Sequence, residues 1–376
     1  MKILFVIAAL TDAGGAERVL SLMANYWAER GRQVSIATFD DGSRQPFYPL
    51  AEGVDNRPLN LPQASSSSLQ GVYSNLLRAR RLRQHIKQEK PDLVISFLTS
   101  TNLTTLLAAR GTSIPVIVSE RNHPAYSPID PLRKKMRKKL YPKAAAVICQ
   151  TGGILDYFQP LLKHNGRVIP NPVLAPDLSP SLPEIDLPSG PLLLAAGNLS
   201  KQKVHQKGFD LLIPAFIKLA AKHSDWHLVI LGDGSQRQTL VQKARELNLE
   251  QRIHLPGNVN NIEAIYQRAD LFVLSSRYEG FPNVLAEAMA AGLPAVSFDC
   301  PTGPSDLIRP GHDGLLVPPE DSDQLIEKLD QLMSSAQARR AMGEEAKAIT
   351  ARFNIAKIIE KWDDLVYTVI DRGVKQ

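Results

Sequence analysis

Two acids with seven residues between them, Glu279 and Glu287, flank a Phe-Pro-Asn turn in the stretch "RYEGFPNVLAEAMAAG" (277–292). An ionised carboxylate is an acceptor only, and it can take two hydroxyls at once. Pro282 suits the first turn of a helix, where its missing N–H would be unpaired anyway. Val284, Leu285, Ala288 and Met289 recur at helical spacing, and Gly292 supplies a stop. The spacing therefore predicts a helix whose first N–H groups, on Asn283, Val284 and Leu285, face an anion. Glu279 falls just before that positive end, and Glu287 about one and a half turns inside it. Two solvated acids would be the plain reading of such a pair alone; the Gly280-Phe281-Pro282-Asn283 context points to a site.

A second constellation lies upstream. In "GNLSKQKVHQKGFDLL" (197–212), Lys201, Lys203, Lys207 and His205 crowd one loop, with a helix expected to begin near Gly208. Cations beside a helix start suit a diphosphate; the alternative is a solvated basic loop. Two further loops carry glycines after apolar runs, Gly14 and Gly15 in "DAGGAERV" and Gly232-Asp233-Gly234 in "LGDGSQR". Glycine there lets backbone approach a ligand closely. Neither matches GxGxxG or GxxxxGK[ST], so the usual dinucleotide and P-loop readings do not apply. Acceptors at both ends and donors in the middle fit a linear ligand of sugar, diphosphate and ribose.

The elements that must hold these loops are alternating apolar strands and amphipathic helices. "KILFVIAAL", "QVSIATF", "DLVISFL", "PVIVSE" and "AAAVICQ" read as strands, and so, after a break, do "LLLAAG", "WHLVILG", "RIHLPG", "ADLFVLSS" and "LPAVSF". The rhythm predicts two doubly wound parallel α/β domains, with ligands at the carboxyl ends of the strands in the region between the domains. The break, 171–191, is rich in Pro and Ser and reads as a linker, and the chain is expected to be helical after "GLLVPPEDSDQ". At 376 residues two domains are the default. Their expected bounds are 1–172, joined by a last helix at 353–376, and 173–352. The apolar N-terminus reads as a buried strand rather than a leader peptide, and no run approaches the ~20 residues that span a bilayer. Cys149 and Cys300 lie far apart in no metal-like spacing, which suits a reduced, cytoplasmic protein. The net charge of +6 is uneven: residues 1–176 hold 23 Lys+Arg against 12 Asp+Glu, and the remainder is net acidic.

Taken together, "RYEGFPNVLAEAMAAGLPAV", "GGAE", "KGFDLL", "LGDGSQR", "HLPG" and "GLLVPP" resemble, in the same order, the landmarks of the GT-B retaining glycosyltransferases of family 4, the glycosyl transferases group 1. The resemblance covers nearly the whole chain. It implies two Rossmann-like domains, the N-terminal one for the acceptor and the C-terminal one for a nucleotide-sugar donor, with no cofactor and no metal. By position, Glu279 would bond donor-sugar hydroxyls and Glu287 the ribose, while Lys207 would pair with the diphosphate. Gly280, Phe281, Pro282, Asn283, Val284 and Leu285 would offer backbone donors, and Gly15, Asn198, Lys203, Gly232, Asp233 and Gly234 would line the donor. Members commonly have Gly-Arg-Leu where this chain has Gly197-Asn198-Leu199, so Lys201 or Lys203 would stand in for the lost arginine. Where many relatives place a histidine after the strand matching "PVIVS", this chain has "SERNHPAYS". Arg121 and His123 are the catalytic candidates of that loop, and Gly14, Glu120, Asn122 and Tyr126 the acceptor-side ones. His123 alone reads equally as an ordinary exposed loop histidine.

The implied reaction is transfer with retention from a nucleotide sugar, UDP-linked in the leading reading and GDP-mannose in the alternative, giving an α-glycosidic bond. A binding module that has lost catalysis is the other reading. "PLRKKMRKKLYPK" (131–143) places Leu132, Met136 and Leu140 on one stripe among cations, and "LLRARRLRQHIK" (76–87) adds a second basic patch. A basic amphipathic helix suits an anionic membrane surface, here through Arg133 to Lys143, and hence a lipid-linked or polysaccharide acceptor at the cytoplasmic inner face. The scarcity of aromatics, 6% of residues, and the lack of a recognisable module argue against nucleic acid.

Overall fold

The computed structural model describes residues 1–12, 14–61, 68–176, 185–259 and 261–374. Part of the expected linker, 177–184, and most of the serine run at 65–68 lie outside these residues. The chain divides into two compact units, Met1–Asn171 with Ala356–Gln376, and Pro172–Ile355.

Unit 1 is built on a seven-stranded sheet in the order β3-β2-β1-β4-β5-β6-β7, every pairing parallel. Its strands are β1 (Lys2–Ile7), β2 (Gln33–Thr38), β3 (Val54–Pro58), β4 (Leu93–Phe97), β5 (Val116–Ser119), β6 (Ala146–Cys149) and β7 (Gly166–Val168). The helices are α1 (Gly15–Ala28), α2 (Ser68–Glu89), α3 (Thr99–Ala108), α4 (Pro131–Leu140) and α5 (Gly152–Phe158). The central strands are apolar without alternation because helices cover both faces; Ile3 to Ile7 and Leu93 to Ile95 are fully buried. The edge strands β3 and β7 are polar and largely exposed. That is why their sequences carry no strand signal, and the expected strand list lacks both.

Unit 2 holds a six-stranded parallel sheet in the order β10-β9-β8-β11-β12-β13. The strands are β8 (Leu192–Ala196), β9 (His227–Leu231), β10 (Ile253–Gly257), β11 (Leu271–Leu274), β12 (Ala295–Phe298) and β13 (Leu315–Val317). Around them run α6 (Lys201–Lys207), α7 (Phe209–Ala220), α8 (Arg237–Glu246), α9 (Ile262–Arg268), α10 (Asn283–Ala290), α11 (Pro304–Leu307), α12 (Ser322–Met333), α13 (Ala336–Ala346) and α14 (Ile349–Arg352). The short strand β13 sits inside "GLLVPP", just before the chain turns helical.

The following helix, α15 (Ile355–Val374), packs in unit 1. Trp362 is buried there. Asp363 accepts from Trp27 Nε1 at 2.9 Å and pairs with Arg32 at 2.8 Å.

In each sheet the strand order reverses beside the first strand, at β1/β4 and at β8/β11. Loops leaving adjacent strands diverge at such a point and open a crevice at their carboxyl ends. Gly14 and Gly15 follow β1, Asn198 follows β8 and Glu279 follows β11, whereas Glu120 to Tyr126 follow β5 and Gly232 to Gly234 follow β9.

Candidate active site

In unit 2, β8 leads into Gly197-Asn198-Leu199 and β11 into Ser275–Gly280, side by side at the switch point. The lysines expected in a loop are instead on α6, a two-turn helix that ends at Gly208 in the left-handed conformation, φ +65°. A side chain at Gly208 would overlap the Ser275 carbonyl oxygen, so only glycine lets α6 close against the β11 loop. Gly197 likewise leaves room for the Lys207 stem, which a Cβ would meet at 2.9 Å.

Lys207 Nζ lies 2.7 Å from Glu279 Oε1, and the same oxygen accepts from Ser276 Oγ at 2.7 Å. Both side chains of the ion pair are largely enclosed, 15% and 9% exposed. Glu279 Oε2 accepts no bond among the described residues, so the carboxylate is anchored on one oxygen and open on the other. Its backbone is fixed too: the N–H donates to Pro301 O at 3.0 Å, and the carbonyl accepts from Thr302 N at 3.0 Å.

Lys203 donates to Gln206 Oε1 at 2.8 Å, and Gln206 in turn donates to Tyr278 O at 3.0 Å. Burial, with Lys207 nearby, holds the Lys203 ammonium below the usual lysine range, while Glu279 acts the other way. Lys201 is exposed. Arg277 makes a two-toothed contact with Asp210, 2.7 Å on each arm, and donates to Glu320 and His205 O, clamping α6 and α7 to the β11 loop.

Helix α10 begins after Pro282 and is followed by Gly292 at φ +85°. Leu285, Ala288 and Met289 are buried, while Val284 is only half-buried; each large apolar side chain so placed contributes about 2 kcal/mol. The Leu285 N–H donates to Pro282 O at 3.0 Å, so it does not serve as an anion donor as expected. Phe281 turns into the core against Phe353, leaving its backbone alone to face a ligand. Glu287 accepts from Tyr266 OH at 3.3 Å. Asn198 Oδ1 accepts from Ser200 N at 2.8 Å, and Asp233 Oδ1 from Gly234 N at 2.7 Å. A side chain at Gly232 would strike Gly197, and one at Gly234 would strike the Leu199–Ser200 peptide, so this turn needs both glycines.

In unit 1 the loop after β5 buries Glu120, Arg121 and His123 and exposes Asn122 and Tyr126. Glu120 is 1% exposed; its Oε2 accepts from Thr99 Oγ1 at 2.8 Å and its Oε1 from Tyr141 OH. Burial raises its pKa, against the lowering effect of those bonds. It is an internal brace, with its two carboxylate oxygens taken by Thr99 and Tyr141 rather than turned to solvent. Arg121 is buried over the Phe97 ring, 4.2 Å from the centroid, and donates to Asn171 Oδ1 at 2.5 Å. His123 is also buried rather than an exposed loop histidine, and burial lowers its pKa. Its ring stands 5.0 Å from that of Tyr126, which is exposed, as is Asn122. Gly14 is the N-cap of α1 and Gly15 its exposed first residue.

The basic helix α4 also departs from expectation. Leu132 is exposed, whereas Met136 and Leu140 pack on the unit's own core, so no apolar stripe is left for lipid. Arg137 is buried over Phe158 and Tyr157, while Lys134, Lys135, Lys138 and Lys139 are exposed. No helix among the described residues is long and apolar enough to cross a membrane.

Ser276, Gln206, Tyr266 and Thr302 escaped the sequence reading. Ser276 alone had a signal, a hydroxyl at the end of an apolar strand, three residues before the acid.

Comparisons with known proteins bear on this arrangement. The family described as Glycosyl transferases group 1 matches residues 190–349, and Glycosyltransferase Family 4 matches residues 13–174. A Campylobacter jejuni protein named GalNAc-alpha-(1->4)-GalNAc-alpha-(1->3)-diNAcBac-PP-undecaprenol alpha-1,4-N-acetyl-D-galactosaminyltransferase is 31% identical over 376 residues, 98% of this chain and 99% of its own. The lipopolysaccharide 1,6-galactosyltransferase of Salmonella typhimurium is 27% identical, over 89% of this chain and 90% of its own. Among solved structures, sucrose-phosphate synthase from Thermosynechococcus elongatus superposes with a TM-score of 0.83 at 18% identity, covering 99% of this chain and all of that one. HepE of Anabaena, solved in complex with UDP, gives 0.77 at 20% identity, covering 98% of this chain and all of that one.

Proposed function

The chain belongs to the glycosyl transferases group 1, enzymes of GT-B fold, and from that premise we propose that it moves a hexose or N-acetylhexosamine from a UDP-sugar to a lipid-linked or polysaccharide glycan, with retention and an α-linkage. The observation that carries the reading is the half-anchored carboxylate of Glu279. Oε1 is fixed by Lys207 and Ser276, and Oε2 is open to donor-sugar hydroxyls. Lys207 has three N–H donors and keeps some for a diphosphate while holding Glu279.

In the transfer, the bond from the anomeric carbon to the diphosphate oxygen breaks as the acceptor oxygen attacks the same face. The acceptor's proton passes to the departing phosphate oxygen, so no separate protein base is needed. Lys207 and the N–H groups at the start of α10 stabilise the charge on the leaving diphosphate. The step as written needs no metal. Glu287 takes the ribose on the far side of the phosphates.

The UDP donor is supported by the UDP-bound Anabaena structure, and the acceptor class by the undecaprenol-linked and lipopolysaccharide substrates in the relatives' names. With an acceptor of that kind, the proposed place of action is the inner face of the cytoplasmic membrane, with the exposed lysines of α4 against anionic lipid.

The test is consumption of radiolabelled UDP-, GDP- and ADP-sugars with a membrane extract as acceptor, beside Glu279→Ala. One donor consumed, label in the lipid fraction and a dead variant are the expected outcome. Label only in soluble sugars overturns the acceptor. GDP-mannose as the sole donor overturns the nucleotide, and tight nucleotide binding without turnover favours a binding module.

A further inference from the structure

Arg121 is a buried cation with an incomplete set of partners. Nη1 is bonded to Asn171 Oδ1 and the face of the guanidinium lies over Phe97. Nε and Nη2 are both enclosed and have no partner among the described residues. These two nitrogens share one edge of the planar group, the edge that grips two oxygens of a single anion side by side. No acid among the described residues of the unit takes it; the adjacent Glu120 is bonded to Thr99 and Tyr141 instead. Gln150 stands beside it, because its Nε2 donates to the same Asn171 Oδ1 at 3.0 Å, and its Oε1 is buried without a partner. The cluster thus offers two paired donors and one acceptor, all on residues of unit 1.

We infer that Arg121, Gln150 and Asn171 form a receptor for a phosphoryl oxyanion, two of whose oxygens sit on the Nε–Nη2 edge while a P–OH or neighbouring hydroxyl donates to Gln150 Oε1. Asn171 is the positioning residue, holding both side chains through one oxygen. A buried cation without a full set of partners is destabilising, and an entering anion offsets that. The group remains charged at neutral pH, although burial lowers its pKa to about 9. Arg121 lies in the irregular segment between β5 and α4 and not within a strand or helix. The site stands on its own geometry; only the source of the phosphoryl group, the donor's diphosphate or a phosphate-linked acceptor, rests on the proposed function.

The experiment follows the Arg121 Nε–H resonance of the full-length 15N-labelled protein, assigned by its absence in Arg121→Lys. Inorganic phosphate, pyrophosphate, UDP and farnesyl diphosphate are titrated in turn. A saturable shift with pyrophosphate is expected, and a melting-temperature rise with pyrophosphate that is smaller in Arg121→Lys, whose affinity falls about tenfold or more. Gln150→Glu, which sets a carboxylate beside the edge, should abolish the shift and serves if the lysine variant does not fold. A matching shift with UDP alone assigns the donor; with farnesyl diphosphate alone it assigns a lipid-linked acceptor. An Nε–H resonance unmoved by all four at millimolar concentration means that the edge holds water, and overturns the inference. Turnover is not read, so a failed transferase assay leaves this result standing, and the reverse also holds.

Discussion

With Nζ 2.7 Å from Glu279 Oε1 and little solvent around either group, Lys207 serves stability besides the role proposed for it in transfer. Lys207→Met leaves a carboxylate enclosed beside Ser276 alone. Unit 2 should lose about 3 kcal/mol in urea unfolding. Glu279→Gln keeps an acceptor of the same shape but surrenders the ion pair and the charge that the proposed reading sets against the sugar. Sugar transfer should fall about 100-fold or more, read as kcat/KM, with nucleotide binding largely kept. At Gly208, φ +65° and the Ser275 carbonyl oxygen together exclude a side chain. Gly208→Ala should cost more than about 1 kcal/mol and loosen α6, seen as faster amide exchange over Lys201–Lys207. Glu120 gives a pH prediction. Its folded pKa is raised by burial, so its contribution to stability is full below the ordinary carboxylate range and is lost as pH rises through the folded value. Glu120→Gln removes that dependence. The variant should match wild type near about pH 4 and gain on it progressively toward about pH 8 in chemical denaturation.

Helix α4 separates two roles that its sequence mixes. Lys135 and Lys139 are exposed, and each contributes about 1 kcal/mol near an anionic surface, so Lys135→Ala with Lys139→Ala should weaken binding to anionic vesicles about 30-fold at low salt. Arg137→Ala should leave vesicle binding unchanged and lower the melting temperature of unit 1, because it stacks on Tyr157 and Phe158. The contrast shows where a sequence can be read. The central strands were legible because burial on both faces demands unbroken apolar runs, as in "KILFVI" and "LFVL". Helix α10 was legible through Pro282, its apolar face and Gly292. Helix α6 was not: it is two turns long and its one buried residue is the polar Gln206, so no apolar period marks it. Nor were Arg121 and Glu120, which meet Phe97, Asn171, Thr99 and Tyr141 from distant parts of the chain. A charged pair in a loop carries no local sign that the fold will close over it.

At the scale of the whole molecule, α15 belongs to unit 1 although all of unit 2 precedes it in the chain. It contributes Ile358, Ile359, Trp362 and Val366 to the buried set and supplies Asp363 to Trp27 and Arg32. Removing residues 356–376 should abolish the cooperative melting of unit 1 in calorimetry and leave the transition of unit 2 in place. Asp363→Ala, which strands the Trp27 N–H and the Arg32 charge, should cost about 2 kcal/mol in the same unit. The same connectivity sets a timetable on the ribosome. Unit 2 is one uninterrupted stretch and can close as soon as it emerges. The earlier-made strands of unit 1 must wait, with the seat of Trp362 unfilled, until translation has passed through the whole of its neighbour.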